Sequence, residues 1–331
     1  MCQKARPQLV GIVLFISAIF WLNMGIHTAA RAADKFPSRP IEVIVGLAQG
    51  GGVDLIMRVI AEAAAPLLGQ KVIILNKPGA AGVIGVNAVA QAKPDGYTIG
   101  GVNPGALTVS PHITNVSFTL DDFSYLSMVT TAPILFCVNA DFPFKDAKAF
   151  FEHAKKNPGK FTYACDGVGG SVHFKAERIF KAMNVTLRPV PFGGAGESMK
   201  ALLGKHVDIY GGSFPPALPH VKAGTIRGFF ASSREDVTEI PGTLGVSALG
   251  YPESASLSWK GMIAPKGLPE DRRIILEKAL QKATGTEMVR KRVREMGERI
   301  AESSGKEFEE VVRSEYKVNG VLSKAMGLGK K

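Results

Sequence analysis

Cysteine is scarce in this chain, with three residues in 331 at positions 2, 137 and 165. No C-x-x-C pair and no His/Cys spacing of the metal-binding kind occurs, so the sequence calls for no metal and no cofactor. Long apolar runs are missing after residue 26, which leaves no later segment able to span a bilayer. Basic residues outnumber acidic ones, giving a formal charge of +11. They are scattered, however, apart from Arg290-Lys291-Arg292 and the Lys330-Lys331 tail, and no basic stripe interleaved with aromatics appears. A nucleic-acid partner is therefore excluded, while an acidic ligand suits the charge. There is no G-x-S-x-G elbow, no repeat of fixed period and no low-complexity tract. Nothing places a nucleophile, a base and an oxyanion site together, and the chain reads as no enzyme.

The first segment sets the compartment. Lys4 and Arg6 precede the apolar run from Leu9 to Ile26, and Ala30-Arg31-Ala32 fits an A-x-A cleavage signal. Residues 1–32 are read as a signal peptide, with the periplasm as destination. Losing Lys4, Arg6 and Arg31 with it leaves a charge of +8. The remaining length suits two domains, each with its own core. Cys137 and Cys165 both fall in apolar strand-like runs; they read as buried thiols, although an oxidising compartment would allow them to pair.

From Ile41 to about Arg234, β-rich runs alternate with helical patterns, the mark of parallel sheets with crossover helices. Strands are expected at 41–46, 72–76, 98–102, 161–165, 187–190, 207–210, 226–233 and 259–264. A long extended stretch over 123–130 and 133–139 reads as a crossing between lobes. Helices are expected from Leu55 to Leu68, with Pro66 ending or kinking the run, and over 83–92, 146–157, 171–183, 197–203, 268–284, 287–296 and 306–325. The lobes are expected at 33–130 with 234–331, and at 131–233.

Glycine clusters follow four of the strands: Gly50-Gly51-Gly52, Gly167-Val168-Gly169-Gly170, Gly193-Gly194-Ala195-Gly196 and Gly211-Gly212. Helical patterns start directly after the first three. Such a turn lets a ligand approach the backbone and presents free N–H groups at a helix N-terminus, so several of them point to an anion site in a crevice between lobes. Asp54 reads as a helix-start acid that can pair with Arg58, Ser171 as a helix cap or ligand donor, and Trp259 as either a cleft wall or a core aromatic.

Taken in order, several short segments resemble the substrate-binding proteins of tripartite tricarboxylate transporters, the Bug or TctC family. They are Phe36-Pro37-Ser38-Arg39-Pro40-Ile41, Gly50-Gly51-Gly52-Val53-Asp54 with Arg58, Asn76-Lys77-Pro78-Gly79-Ala80-Ala81-Gly82 and Lys93-Pro94-Asp95-Gly96-Tyr97-Thr98. Asn157-Pro158-Gly159-Lys160, Val190-Pro191-Phe192, the stretch from Pro216 to Gly224, Ser258-Trp259-Lys260-Gly261 and Ala264-Pro265 continue the series.

The resemblance implies an α/β, type II periplasmic binding fold of two lobes around a ligand cleft. It also implies a monomeric receptor that delivers a small carboxylate, a di- or tricarboxylate or an aromatic acid, to inner-membrane permease subunits. By positional match Gly51, Gly52 and Val53 supply one side of the site, and the loop with Gly167, Gly169, Gly170 and Ser171 the other. A sensor that presents its ligand to a receptor kinase, or a periplasmic enzyme acting on a carboxylate, would use the same cleft. Departures from the family pattern include Gln49 before the glycines, Asn103-Pro104-Gly105-Ala106 in place of a Ser/Thr-rich loop, and Gly211-Gly212-Ser213 where members often carry Phe-Asp. Because that last change removes a carboxylate, a ligand without an amino group is expected.

Processing after Ala32 is the first testable consequence. N-terminal sequencing or intact mass of the exported protein is expected to begin at Ala33; an intact Met1 in the membrane fraction would contradict it.

Overall fold

The computed structural model describes residues 35–330, and the expected signal peptide lies outside them. Ile41–Val45 (β1) is buried at four of its five positions. Gly52–Leu68 (α1) follows it, with Val53, Ile56, Met57, Val59, Ile60 and Ala64 turned inward. Pro66 does not end this helix, which runs on to Leu68 and stops at Gly69 in the left-handed conformation. The proline sits in the last turn, where the carbonyl it leaves unbonded belongs to exposed Glu62 and can be hydrated.

Val72–Asn76 (β2), Val83–Ala90 (α2) and Thr98–Val102 (β3) complete two crossover units, with β2 and β3 both parallel to β1. After a turn at 105–109 come Ser110–Ile113 (α3) and the long strand Phe123–Pro133 (β4).

At Ile134 the chain passes into a second sheet. Leu135–Asn139 (β5) opens it, followed by Ala147–Lys155 (α4), Thr162–Cys165 (β6), Ser171–Ala182 (α5), Arg188–Pro191 (β7) and Ala195–Leu203 (α6). Then come Tyr210–Gly212 (β8), Phe214–Lys222 (α7), Ile226–Ala231 (β9) and Leu244–Gly245 (β10). The strand expected over 207–210 is shifted: Ile209 makes an isolated parallel bridge to Tyr163, β8 itself runs over Tyr210–Gly212, and the Asp208 carboxylate accepts from Thr162 N–H at 2.7 Å and Thr162 Oγ at 2.8 Å. Helix α7 lacks a strong apolar period; Pro215 and Pro216 in its first turn suit a helix start, where their missing N–H groups cost nothing.

Leu257–Pro265 (β11) returns to the first sheet, and Glu270–Gly285 (α8), Glu287–Glu295 (α9), Arg299–Ile300 (β12) and Gly305–Ala325 (α10) close the chain. The first sheet has the order β12-β4-β11-β3-β1-β2; the second has β10-β9-β5-β8, with the pair β6-β7 beside it. The result is two α/β lobes.

Each lobe has its own apolar centre. In the second, Phe136 and Phe230 stack at 4.2 Å among Phe150, Phe151 and Phe180. Cys137 and Cys165 are both free and buried there. Burial pushes both thiols up, Cys165 to about 12, so neither is poised as a thiolate.

The stretches that join the lobes are stitched by one buried serine. Ile134 N–H donates to Ser232 Oγ at 2.8 Å, and Ser232 Oγ donates to Ser256 O at 2.7 Å. Ser232 N–H donates to Ile134 O, and Ser256 N–H to Ser232 O. Among the described residues no helix is long and apolar enough to cross a membrane.

Candidate functional site

The start of α1 carries the first half of the site. Its N-cap is Gly51, and no side chain caps it. The N–H groups of the first helical turn, from Gly52 onward, therefore lack intrahelical partners and carry the positive end of the helix dipole. Asp54, 1 % exposed, holds the turn from behind. Its Oδ2 accepts from Gly50 N–H at 2.9 Å and Arg58 Nε at 3.0 Å, and its Oδ1 from Arg58 Nη2 at 2.8 Å. Burial pushes this carboxyl up, but the hydrogen bonds from Arg58 and Gly50 outweigh it and keep the group below its ordinary value. Arg58 thus stands on the far side of the turn as a support.

The second half comes from three helix starts of the other lobe, pressed against the first. A Cβ on Gly52 would overlap the Ser213 side chain at the head of α7, and one on Gly105 would lie 2.6 Å from Ser171 N at the head of α5. Gly51 faces Ala195 N at the head of α6. Ala48 N–H donates to Gly193 O at 3.0 Å, and Ser110 Oγ to Gly169 O at 3.1 Å. Between these contacts lies a cavity of about 40 Å³, space for about three waters. A larger cleft of about 630 Å³ runs beside the crossing strands, lined by loop residues such as Arg234, Asp236 and Glu239. We place the candidate site in the smaller cavity, because the uncapped amides of α1 open there.

Of the residues singled out in the sequence, Gly51, Gly52, Val53, Asn103, Ser171 and Ser213 reach the cavity wall. Asp54 lies behind it. Gly167 packs on Ala81, Gly169 supplies the carbonyl for Ser110, and Gly170 leaves room for Asp166. Gly194 lies against Ala48 N, and Gly212 lies under the Tyr210 ring, whose hydroxyl donates to Ser213 O at 2.7 Å. Trp259 is turned away: it is 4 % exposed, packs edge-on to Phe308 at 5.1 Å, and donates from Nε1 to Glu315 at 2.5 Å. Strand alternation explains this, since Ser258 and Lys260 on either side of it face the cavity.

Three polar residues of the cavity wall had not been singled out as ligand contacts. Ser258 Oγ stands 3.4 Å from Ser171 Oγ. Lys260 is 5 % exposed and binds Glu298 Oε1 at 2.5 Å, while Glu298 Oε2 accepts from Thr130 Oγ at 2.6 Å. Asp166 is the third, and it corrects the premise that Gly211-Gly212-Ser213 leaves the cleft without a carboxylate. It is 6 % exposed, and its Oδ1 accepts from Val172 N–H at 2.9 Å at the start of α5, the capping role expected of Ser171. Burial pushes this carboxyl up to about 6, against the lowering pull of the Val172 and His173 amides. Its one sequence signal was an acid standing just ahead of a glycine turn and a helix.

The model of the tripartite tricarboxylate transporter family receptor matches residues 56–328. The protein BugT of Bordetella pertussis is 30 % identical over 280 residues, covering 84 % of this chain and 86 % of BugT. Another B. pertussis protein, of the UPF0065 group, is 35 % identical over 254 residues, 76 % of this chain and 78 % of the relative. Among solved structures, the periplasmic binding protein BugD superposes with a TM-score of 0.85 at 29 % identity, covering 89 % of this chain and all of BugD. MatC of Rhodopseudomonas palustris, with bound malate, gives 0.82 at 25 % identity over 87 % of this chain and 99 % of MatC.

Asp166 also sets a pH dependence of stability. Its carboxyl ionises near 3.8 ordinarily and near 6 in the fold. Between those values the folded protein keeps a proton that the unfolded chain has lost. Stability therefore falls as pH rises through this window, and the full penalty stands above it, at most about 3 kcal/mol for two pH units. Asp166→Asn is expected to melt higher than the parent at pH 7.5, with the gap closing toward pH 4. A constant gap in thermal melts across that range would contradict the assignment.

Proposed function

The chain belongs to the tripartite tricarboxylate transporter receptor family, and on that premise we propose that it captures a small carboxylate in the periplasm for uptake by a transporter of that type. The observation that carries the reading is the convergence of the uncapped α1 amides, the Lys260 ammonium and three facing helix starts on one small cavity between lobes. A carboxylate there meets a helix dipole and charge-assisted donors. Each such bond contributes about 1.5–3 kcal/mol, and a few of them, less the ordering cost, reach about −8 kcal/mol, a micromolar affinity. The malate in MatC is a ligand of this chemistry.

Capture runs by closure. The ligand docks on the α1 turn, the second lobe swings in about the strands joined at Ser232, and the closed form is what inner-membrane permease subunits receive. The division of lobes we propose follows the expected boundaries, 33–130 with 234–331 and 131–233, except that the segment leading to Leu257 travels with the second lobe because β10 pairs with β9. Signal-peptide cleavage delivers the chain to that compartment as a monomer.

Reversible binding without chemistry fits the side chains present. Ser171 Oγ faces Ser258 Oγ, and His173 Nδ1 is taken up by Gly169 N–H at 3.4 Å, so no histidine activates the serine.

Calorimetry with malate and a panel of aliphatic and aromatic acids tests the reading. At least one acid is expected to bind with micromolar affinity. Gly52→Val is expected to weaken it at least 100-fold, by placing side-chain atoms where Ser213 closes. Arg58→Ala, behind the turn, is expected to weaken it only several-fold. No binding by any acid, or equal small effects of the two changes, would overturn the proposal.

A further inference from the structure

The second-lobe wall of the cavity contains a charge that an anion receptor does not need. Asp166 lines it, 94 % of the residue being buried, and its Oδ1 accepts from Val172 N–H at 2.9 Å and His173 N–H at 3.5 Å. Two consequences follow. The amides at the head of α5 already hold a carboxylate of the chain itself, so they cannot hold one from the ligand. The carboxylate those amides hold also puts a buried negative charge on the cavity wall.

The charges around the cavity point the same way. Lys260 is the one cation on its wall, and it is paired with buried Glu298. With Asp166 ionised, the three groups together carry one negative charge before any ligand enters. Lys175, nearby on α5, is committed to Leu257 O at 3.1 Å and to Glu315 at 3.6 Å, and Glu177 accepts from the Tyr163 hydroxyl at 2.6 Å. Among the described residues, no other cation lines the cavity to receive a second carboxylate.

Resting on the carboxylate reading above, we propose that Asp166 makes this receptor selective for a ligand with a carboxylate at one end and an N–H donor, amide or ammonium, at the other, and selective against a dicarboxylate. The carboxylate lies on the α1 amides and Lys260. The donor lies on the Asp166 carboxylate, where a second carboxylate would meet a like charge. The selectivity thus comes from a repulsive element as well as an attractive one. Asn103 and Ser213 add neutral polar groups to the cavity, and Ser213 Oγ is buried with no partner of its own.

The test uses pairs that differ only at the far end: malonate, succinate, glutarate and terephthalate, each against its monoamide, by calorimetry at pH 7.5. The monoamide of at least one pair is expected to bind at least 10-fold tighter than its diacid. Asp166→Asn keeps an oxygen to cap α5 and removes the charge, so it is expected to raise diacid binding at least 10-fold and narrow the preference. Asp166→Ser provides a second neutral variant with the same expected direction. Diacids binding as well as or better than their monoamides, with a ratio that neither variant changes, would overturn this inference and leave the carboxylate reading standing. Failure of every acid and monoamide to bind would overturn both.

Discussion

The site depends on glycine backbone meeting helix starts across the gap between the lobes. Ser213 at the head of α7 occupies the space where Gly52 would carry a side chain, and the head of α5 approaches Gly105 so closely that a Cβ there would stand 2.6 Å from Ser171 N. Only glycine permits that approach, and it is what encloses the cavity and brings the dipole of α1 to bear on its contents. Excluding water raises the worth of each hydrogen bond inside and the cost of each polar group left unmatched. The rest of the architecture serves this contact. Parallel strands end in glycine turns so that helices can start at the seam, and the serine stitch at Ser232 ties the joining strands together.

Much of this was legible in the sequence. Apolar periodicity located β1, α1, α5 and the C-terminal helices to within a few residues, because each buries a regular face. Elements that form for other reasons escaped it. Helix α7 is begun by two prolines, and β8 is set by the Asp208 bonds to Thr162 and by close packing of Gly211 on Ala164 O. The glycine turns of the site could be read directly, since a glycine run between strand and helix has few other uses.

The charged wall could not be read that way. Whether Trp259 or its neighbours Ser258 and Lys260 face the cavity depends on which side of β11 the second lobe covers, and alternation alone leaves both faces open. No motif or period marks Asp166, and only the fold shows that it lies in the cavity while capping α5. Two opposed charges in one small space change the chemistry expected of the ligand: the α1 side attracts an anion, and the α5 side presents one.

Small-angle X-ray scattering of the mature chain, alone and saturated with the tightest-binding member of the acid and monoamide panel, tests closure most directly. The account predicts a smaller radius of gyration with ligand, and Gly105→Ala, whose added methyl meets Ser171 N, is predicted to reduce that contraction. A wild-type radius unchanged by a ligand that calorimetry shows to be bound would contradict it.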